Sequence, residues 1–225
     1  MKFYSILFYT LLILSLAFVL VAVLTTVFYI INHSYVTIGV ETKHPLWITS
    51  STVMLMGKVN SRYLQGLVYY FEYTTNGTKI TTDQYNLITD NFGTLVIDLI
   101  PDTTYMFRAV IISMGRHHLG SFKTFSTLQE PIVETEDPVY NGNDTFTCRG
   151  HVVNFGSDYL YSMFTFGLAM DPDTMSSPAV LTIVGNNSES FRLNGLEKMK
   201  YECRMVAFEK FDSHLFRGQP KYFGT

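Results

Sequence analysis

The sequence carries little charge, two cysteines and a single tryptophan. Only 16% of its 225 residues are charged, and the net charge is −3. A pI near 6.0 gives no positive field that would attract phosphate groups, which argues against nucleic acid as a partner.

Motifs of familiar catalytic chemistry are also missing. The sequence has no Gly-x-Ser-x-Gly elbow, phosphate-binding loop, dinucleotide fingerprint, His-Glu-x-x-His or Cys-x-x-Cys. Arg116, His117 and His118 form a cluster predicted to lie at a hairpin tip. Neighbouring histidines could contribute to a metal site or respond to pH, but their side chains point apart on a strand and no acidic or cysteine partner has ligand spacing. We therefore predict a non-enzymatic protein without cofactor or metal, in which this cluster is an interaction loop.

A single long apolar run explains the mean hydropathy of +0.15. No charged residue occurs between Lys2 and Glu41. As a helix, residues 6–31 would extend about 39 Å, enough to cross the hydrocarbon core of a bilayer. We predict a stub over 1–5, a transmembrane helix over 6–31 and a juxtamembrane segment over 32–39. The alternative is a cleaved secretory signal, whose apolar core is usually only ~7–15 residues.

A second apolar run of comparable length does not occur, which excludes a multi-span transporter. The positive charge of Lys2 and the amino terminus places this end in the cytoplasm and the remaining chain across the membrane. Sequons at Asn76, Asn143 and Asn186 are candidate N-glycosylation sites that fit a luminal or extracellular face. A fourth sequon, at Asn32, lies too close to the predicted bilayer.

An internal repeat divides the rest of the chain. The segment VETKHPLWITSSTVMLMGKV from Val40 returns as VETEDPVYNGNDTFTCRGHV from Val133, an offset of 93, and YMFRAV at 105–110 returns as YECRMV at 201–206, an offset of 96. Matches that keep their order while the offset drifts indicate a duplicated domain with small loop insertions. The predicted domains are 40–128 and 129–225.

Each repeat has the pattern of an all-β domain. Apolar residues alternate over 53–56, 66–73 and 105–112, and Asn76-Gly77 is a strong signal for a two-residue hairpin. The acidic segment 130–137, flanked by prolines, is predicted to be a short stiff connector between the domains.

The first repeat resembles a fibronectin type III domain. The similarity rests on Leu-x-Gly-x-Val at 55–59, Phe-Glu-Tyr at 71–73 and Leu-x-Pro-x-Thr-x-Tyr at 99–105. The resemblance implies an immunoglobulin-like two-sheet sandwich with a tyrosine corner at Tyr105. Its counterpart Tyr201 lacks the preceding Pro and Thr, so the second assignment depends on the repeat. The predicted fold class is all-β, with two tandem fibronectin type III-like β-sandwiches preceded by one N-terminal transmembrane α-helix.

The two cysteines both fall in the second repeat. Cys148 aligns with Leu55 and Cys203 with Phe107, so both should face the core from opposite sheets, as the bridged cysteines of immunoglobulin domains do. A disulfide is favoured if the domains face an oxidising compartment. Two buried free thiols are favoured if the protein assembles in the cytosol.

These predictions together suggest a single-pass membrane protein that acts through its surfaces. Its expected function is to tether a membrane to a protein assembly, as a minor capsid or envelope protein of a large DNA virus would. The expected partners are the lipid bilayer and other proteins of that assembly, such as capsid proteins. The alternative is a cell-surface adhesion or receptor-like protein.

Overall fold

The fold was analysed in a computed structural model, which describes residues 2–34, 38–157, 160–182, 188–194, 196–210 and 214–224. Helix α1 spans Lys2–Ser34 and includes the apolar run. Over the described residues, no helix is both long and apolar enough to cross a membrane.

Two β-sandwiches follow the helix. The first contains nine strands: β1 Gly39–Thr42, β2 Val53–Asn60, β3 Val68–Thr75, β4 Thr78–Thr81, β5 Tyr85–Asn86, β6 Asn91–Val96, β7 Thr104–Ser113, β8 Arg116–Leu119 and β9 Lys123–Ser126. Within its described residues the second has the same number: β10 Ile132–Gly142, β11 Thr145–Asn154, β12 Leu160–Leu168, β13 Asp171–Ser176, β14 Val180–Thr182, β15 Ser188–Leu193, β16 Lys200–Glu209, β17 Phe216–Arg217 and β18 Lys221–Gly224.

Both sandwiches share one antiparallel topology. In the first, a three-stranded sheet in the order β1-β2-β6 accompanies a six-stranded sheet in the order β4-β3-β7-β8, where β5 also pairs with β3 and β9 with β7. The second repeats this arrangement with β10-β11-β15 and β13-β12-β16-β17, where β14 pairs with β12 and β18 with β16. This strand order is that of a fibronectin type III-like sandwich and confirms the predicted β fold.

Side-chain alternation explains why these segments form half-buried strands. Strand β2 buries alternate residues along its length, as expected where one face packs on a core and the other faces water. The first core includes Leu55 and Phe107, and the second contains Cys148 and Cys203 at the equivalent positions. All four side chains are fully buried.

The predicted acidic connector over 130–137 was wrong. Strand β10 begins at Ile132 and pairs with β11 along most of its length, so most of the acidic segment belongs to the second sandwich. Val133 and Thr135 are buried while Glu134 and Glu136 are exposed, which is strand alternation. The connection between the sandwiches is 127–131.

Candidate interaction face

The most elaborate polar arrangement lies on the first sandwich, on the side of the six-stranded sheet that faces away from the core. Phe107, Ala109 and Ile111 of β7 belong to the core, so Met106 and Arg108 project from the opposite side. We call this side the outer face. It includes Tyr70, Glu72, Lys79, Met106, Arg108, His117, Leu119 and Phe122.

Glu72 is the centre of the outer face. Its carboxylate accepts bonds from Nε and Nη2 of Arg108, both at 2.7 Å, and from Nζ of Lys79 at 2.6 Å. Glu72 and Arg108 are directly opposite each other on β3 and β7. Although Glu72 lies on the outer side of the sheet, only 5% of the residue is exposed. A buried carboxylate needs such partners, because burial without them would strongly disfavour its charge.

These contacts determine how the neighbouring groups titrate. Burial acts to raise the pKa of Glu72, but the hydrogen bonds and charges of Lys79 and Arg108 outweigh it and the pKa is lowered from its ordinary value. The pKa of Tyr70 is raised, first by burial and then by the negative charge of Glu72. Both groups therefore hold their usual forms, carboxylate and phenol, more firmly than in water.

A hydrogen-bonded chain extends from Glu72 toward the edge of the sheet. The Tyr70 hydroxyl lies 3.4 Å from Glu72 Oε1 and 3.1 Å from Nδ1 of His117. Because an ionised carboxylate only accepts hydrogen bonds, Tyr70 donates to Glu72 and can accept from His117. His117 is therefore part of a structured network and not an isolated loop residue.

The histidine cluster was predicted at the hairpin tip, but it lies in the strand that directly follows the tip. The hairpin tip consists of Met114 and Gly115, which both have positive φ angles, and Arg116, His117 and His118 begin strand β8. Two consecutive left-handed residues form the compact turn that the twist of a hairpin favours. Over the described residues, no group of three metal-ligating side chains comes together.

Apolar side chains surround this charged centre. Phe122 is 47% exposed, Leu119 50% and Met106 40%, and the Arg108 guanidinium lies 4.5 Å from the centre of the Phe122 ring. Arginine, methionine and aromatic residues are enriched in protein interfaces. The outer face thus combines a rigid charged centre with an accessible apolar rim.

The second sandwich keeps the arginine but changes its partner. Arg204 occupies the position of Arg108, and the residue directly opposite it is Thr165 instead of a glutamate. Arg204 pairs instead with Glu202 of its own strand at 2.8 Å, and nearby Arg217 pairs with Asp173 at 2.8 Å. The equivalent surfaces of the two repeats therefore differ in charge arrangement.

Sequence reasoning missed Glu72 and Arg108 as candidate site residues. A usable signal existed, because the repeat YMFRAV and YECRMV retains the arginine at a position that faces away from both cores. Core packing does not require an arginine there. The glutamate between two core-facing aromatic residues, Phe71 and Tyr73, was a second signal.

The other predicted sites are the two tyrosine corners and the sequons. Tyr105 Oη accepts a bond from the backbone N–H of Ile100 at 2.8 Å, and Tyr201 Oη accepts one from Glu197 at 3.1 Å. Asn76 and Asn143 are exposed on tight turns, whereas Asn186 lies outside the described residues.

The cysteines are buried thiols in the core of the second sandwich. They lie close enough for a hydrogen bond between them, and this bond together with burial raises the pKa of Cys148. The Cys148 thiol is therefore protonated and unreactive while the domain is folded. The disulfide between Cys148 and Cys203 remains a prediction.

Comparisons with known proteins gave limited similarity. No family model and no curated protein matches the chain. Among solved structures, the sensor domain of the anti-sigma factor RsgI4 from Pseudobacteroides cellulosolvens is 18% identical, with a TM-score of 0.35, and the match covers 41% of this chain and 96% of that one. The FN1–FN3 domains of chicken CNTN1 are 14% identical, with a TM-score of 0.42, and the match covers 83% of this chain and 64% of that one.

Proposed function

We propose that the protein is a non-catalytic, membrane-attached binding protein. The first sandwich would bind another protein through the outer face, and the amino-terminal helix would hold the chain at a membrane. The outer face carries the proposal, because it joins a preorganised charged centre to exposed Phe122, Leu119 and Met106. Preorganised side chains lose less entropy on binding than mobile ones.

Membrane attachment is supported by the sequence of the helix and by its exposure. The run from Phe3 to Ile31 contains no charged residue, and the large apolar side chains described within it, such as Phe18 at 77% and Phe28 at 69%, are exposed. Large apolar side chains that are exposed to water along a helix favour transfer to an apolar environment. Lipid is the proposed environment, with the amino terminus in the cytoplasm and the sandwiches on the opposite side.

The proposed partner is another protein of a membrane-associated assembly, such as the capsid layer of a membrane-containing virus. Exposed sequons at Asn76 and Asn143 favour a second candidate, a cell-surface adhesion or receptor-like protein. Both candidates use the outer face, and they differ in where the partner lies.

Site-specific photocrosslinking in the native membrane tests the binding face. A photoreactive residue replaces Phe122, and a control variant carries it at Val153, which is 53% exposed on the second sandwich. We expect one defined crosslinked protein from position 122 and not from position 153. Met106→Ser in the labelled chain should weaken that product. Equal products from both positions would contradict the outer face as the binding site.

Flotation with phosphatidylcholine vesicles tests the membrane attachment separately. We expect the full chain to float with the vesicles and the variant Leu16→Asp, Leu20→Asp, Leu24→Asp to remain in the soluble fraction, because a charge in the bilayer costs several kcal/mol. The control variant Thr174→Asp, Ser188→Asp, Ser190→Asp places three acids on exposed strand positions of the second sandwich. Flotation of the helix variant would refute the anchor without affecting the crosslinking result.

A further inference from the structure

The loop between β1 and β2 of the first sandwich ends in a tightly bonded turn. Thr49 Oγ1 accepts bonds from the backbone N–H of Ser51 at 3.2 Å and of Thr52 at 2.9 Å, and the Thr49 N–H donates to the Thr52 carbonyl at 2.9 Å. This turn leaves the N–H and hydroxyl of Ser50 directed away from it. Ser50 nevertheless has only 1% of its surface exposed.

The group that covers Ser50 belongs to the second sandwich. Glu209, at the end of β16, has 1% of its surface exposed. The Ser50 N–H lies 3.1 and 3.2 Å from its two carboxylate oxygens, and the Ser50 hydroxyl donates to Oε2 at 2.7 Å. Lys210 lies 5.4 Å from the centre of the Trp47 ring on the same side of the junction. The contact thus joins a buried carboxylate of one domain to a fixed donor pair of the other.

The repeat shows that the sandwich fold itself does not require this pair. Glu209 is the last residue of β16, and the equivalent last residue of β7 is Ser113. Ser50 corresponds, at the offset of 93, to Asn143, which is exposed. Burying an ionised carboxylate is costly unless it is hydrogen-bonded. The buried Glu209 carboxylate and the Ser50 donors are therefore specific to the contact between the two domains.

The segment that connects the domains, 127–131, is hydrogen-bonded to both sandwiches. In the first sandwich, Leu128 N–H donates to the Thr49 carbonyl at 3.0 Å. Toward the second, the Asn154 side chain donates to the Glu130 carbonyl at 2.9 Å. A Cβ at Gly156 would lie 2.5 Å from Cδ of Pro131, so glycine is needed for this close approach. Only Gln129 separates the two attachment points.

We infer that Glu209 and Ser50 form an interdomain clasp that fixes the two sandwiches in a single orientation. The two sandwiches then act as one rigid arm. A partner bound at the outer face of the first sandwich is held at a defined position relative to the second. This inference is independent of the proposed partner and of the membrane anchor. It makes Glu209 a positioning residue for the arm as a whole.

Distance measurements between spin labels test the clasp in the full chain, reconstituted in lipid nanodiscs. Labels are attached at Thr81→Cys and Thr174→Cys, which are exposed on the first and second sandwich. The native cysteines are fully buried and should not react. We expect one narrow distance distribution. Glu209→Ala should replace it with a broad distribution, and Ser50→Ala should broaden it partly because the N–H contacts remain.

Glu189→Ala is the matched control, since it removes a glutamate from β15 away from the junction, and it should retain the narrow distribution. Circular dichroism spectra establish that the variants fold. If Glu209→Ala unfolds the second sandwich, Ser50→Ala provides the test from the first. A folded Ser50→Ala or Glu209→Ala variant that keeps the original narrow distance distribution would overturn the clasp. A broad distribution in the labelled chain with Ser50 and Glu209 intact would overturn it too.

Discussion

At the scale of single residues, the contact between Glu72 and Arg108 is the most consequential for stability. Arg108→Met keeps much of the side-chain volume but leaves the buried Glu72 carboxylate with Lys79 and Tyr70 only. We expect the free energy of unfolding to fall by about 2 kcal/mol, below the full cost of an unpaired buried charge because Arg108 is partly exposed. Urea denaturation of the first sandwich measures this.

The matched experiment removes the charge together with its partner. The double variant Glu72→Gln, Arg108→Met should recover most of the lost stability, because no buried charge remains unpaired. Arg217→Met, a change in the second repeat, should cost less because its partner Asp173 is exposed and an exposed ion pair contributes little to stability. Equal losses in Arg108→Met and Arg217→Met would contradict the role assigned to Glu72.

The lowered pKa of Glu72 predicts an acid-sensitive first sandwich. The ordinary value of the carboxyl pKa is 4.5, and the folded value lies below it. The ionised form therefore stabilises the folded state fully above about pH 4.5, and this contribution is lost as pH falls through the folded pKa. We expect Glu72→Gln to reduce the drop in unfolding free energy between about pH 5 and pH 3. An unchanged drop would show that other carboxylates control the acid response.

Sequence could predict some of these residues and not others. The core-facing positions of Cys148 and Cys203 followed from their alignment with Leu55 and Phe107. The burial of Glu72 could not be predicted in the same way, because a charged residue on the outer side of a strand is normally solvated. Its burial depends on Lys79 and Arg108, which reach it from neighbouring strands.

At the scale of elements, Gly150 controls how closely β10 and β11 approach. A Cβ there would lie 2.7 Å from the Glu134 carbonyl oxygen and 2.6 Å from the sulfur of Met205. We expect Gly150→Ala to reduce the free energy of unfolding of the second sandwich by about 2 kcal/mol, because a backbone atom cannot move aside as a side chain can. Hydrogen exchange at the β10–β11 ladder should become faster in the same variant.

Gly39→Ala is the control for this prediction. A Cβ at Gly39 would make its nearest contact at 3.5 Å, an ordinary separation, so the change in stability should stay within about 0.5 kcal/mol. If Gly150→Ala is tolerated equally well, the close approach of β10 to β11 is not required.

The strands were predictable where apolar and polar residues alternate, as in β2 and β7. The acidic segment 130–137 misled because its charges and prolines suggested a linker, although Val133 and Thr135 already showed strand alternation. Pro138 fits into β10 because it lies at a register shift between Glu136 and Val139, where a missing N–H does not interrupt the ladder. The prediction of a linker relied on the charges and prolines of the segment. The alternation of buried and exposed residues would have predicted the strand correctly.

At the scale of the whole molecule, the internal repeat predicted two similar domains, but it could not predict how they meet. Ser50 and Glu209 are 159 residues apart in sequence. The equivalent positions of the other repeat hold different residues, Asn143 and Ser113. The two repeats share the residues that form each core. The junction between the domains occurs once per molecule, so its residues do not recur in the sequence. The orientation of the arm is therefore a property that only the three-dimensional arrangement reveals.

The proposed membrane orientation predicts glycosylation at two sequons. Asn76 and Asn143 are exposed on turns of different sandwiches, so both are accessible to a luminal transferase. When the full chain is translated with microsomes, we expect glycans at Asn76 and Asn143 that an endoglycosidase removes, and sandwiches that added protease cannot digest. Asn76→Asp and Asn143→Asp should each remove one glycan while retaining the turn, because aspartate also tolerates a positive φ. Digested sandwiches without glycan, in a chain that still resists alkaline extraction, would show that the orientation is reversed.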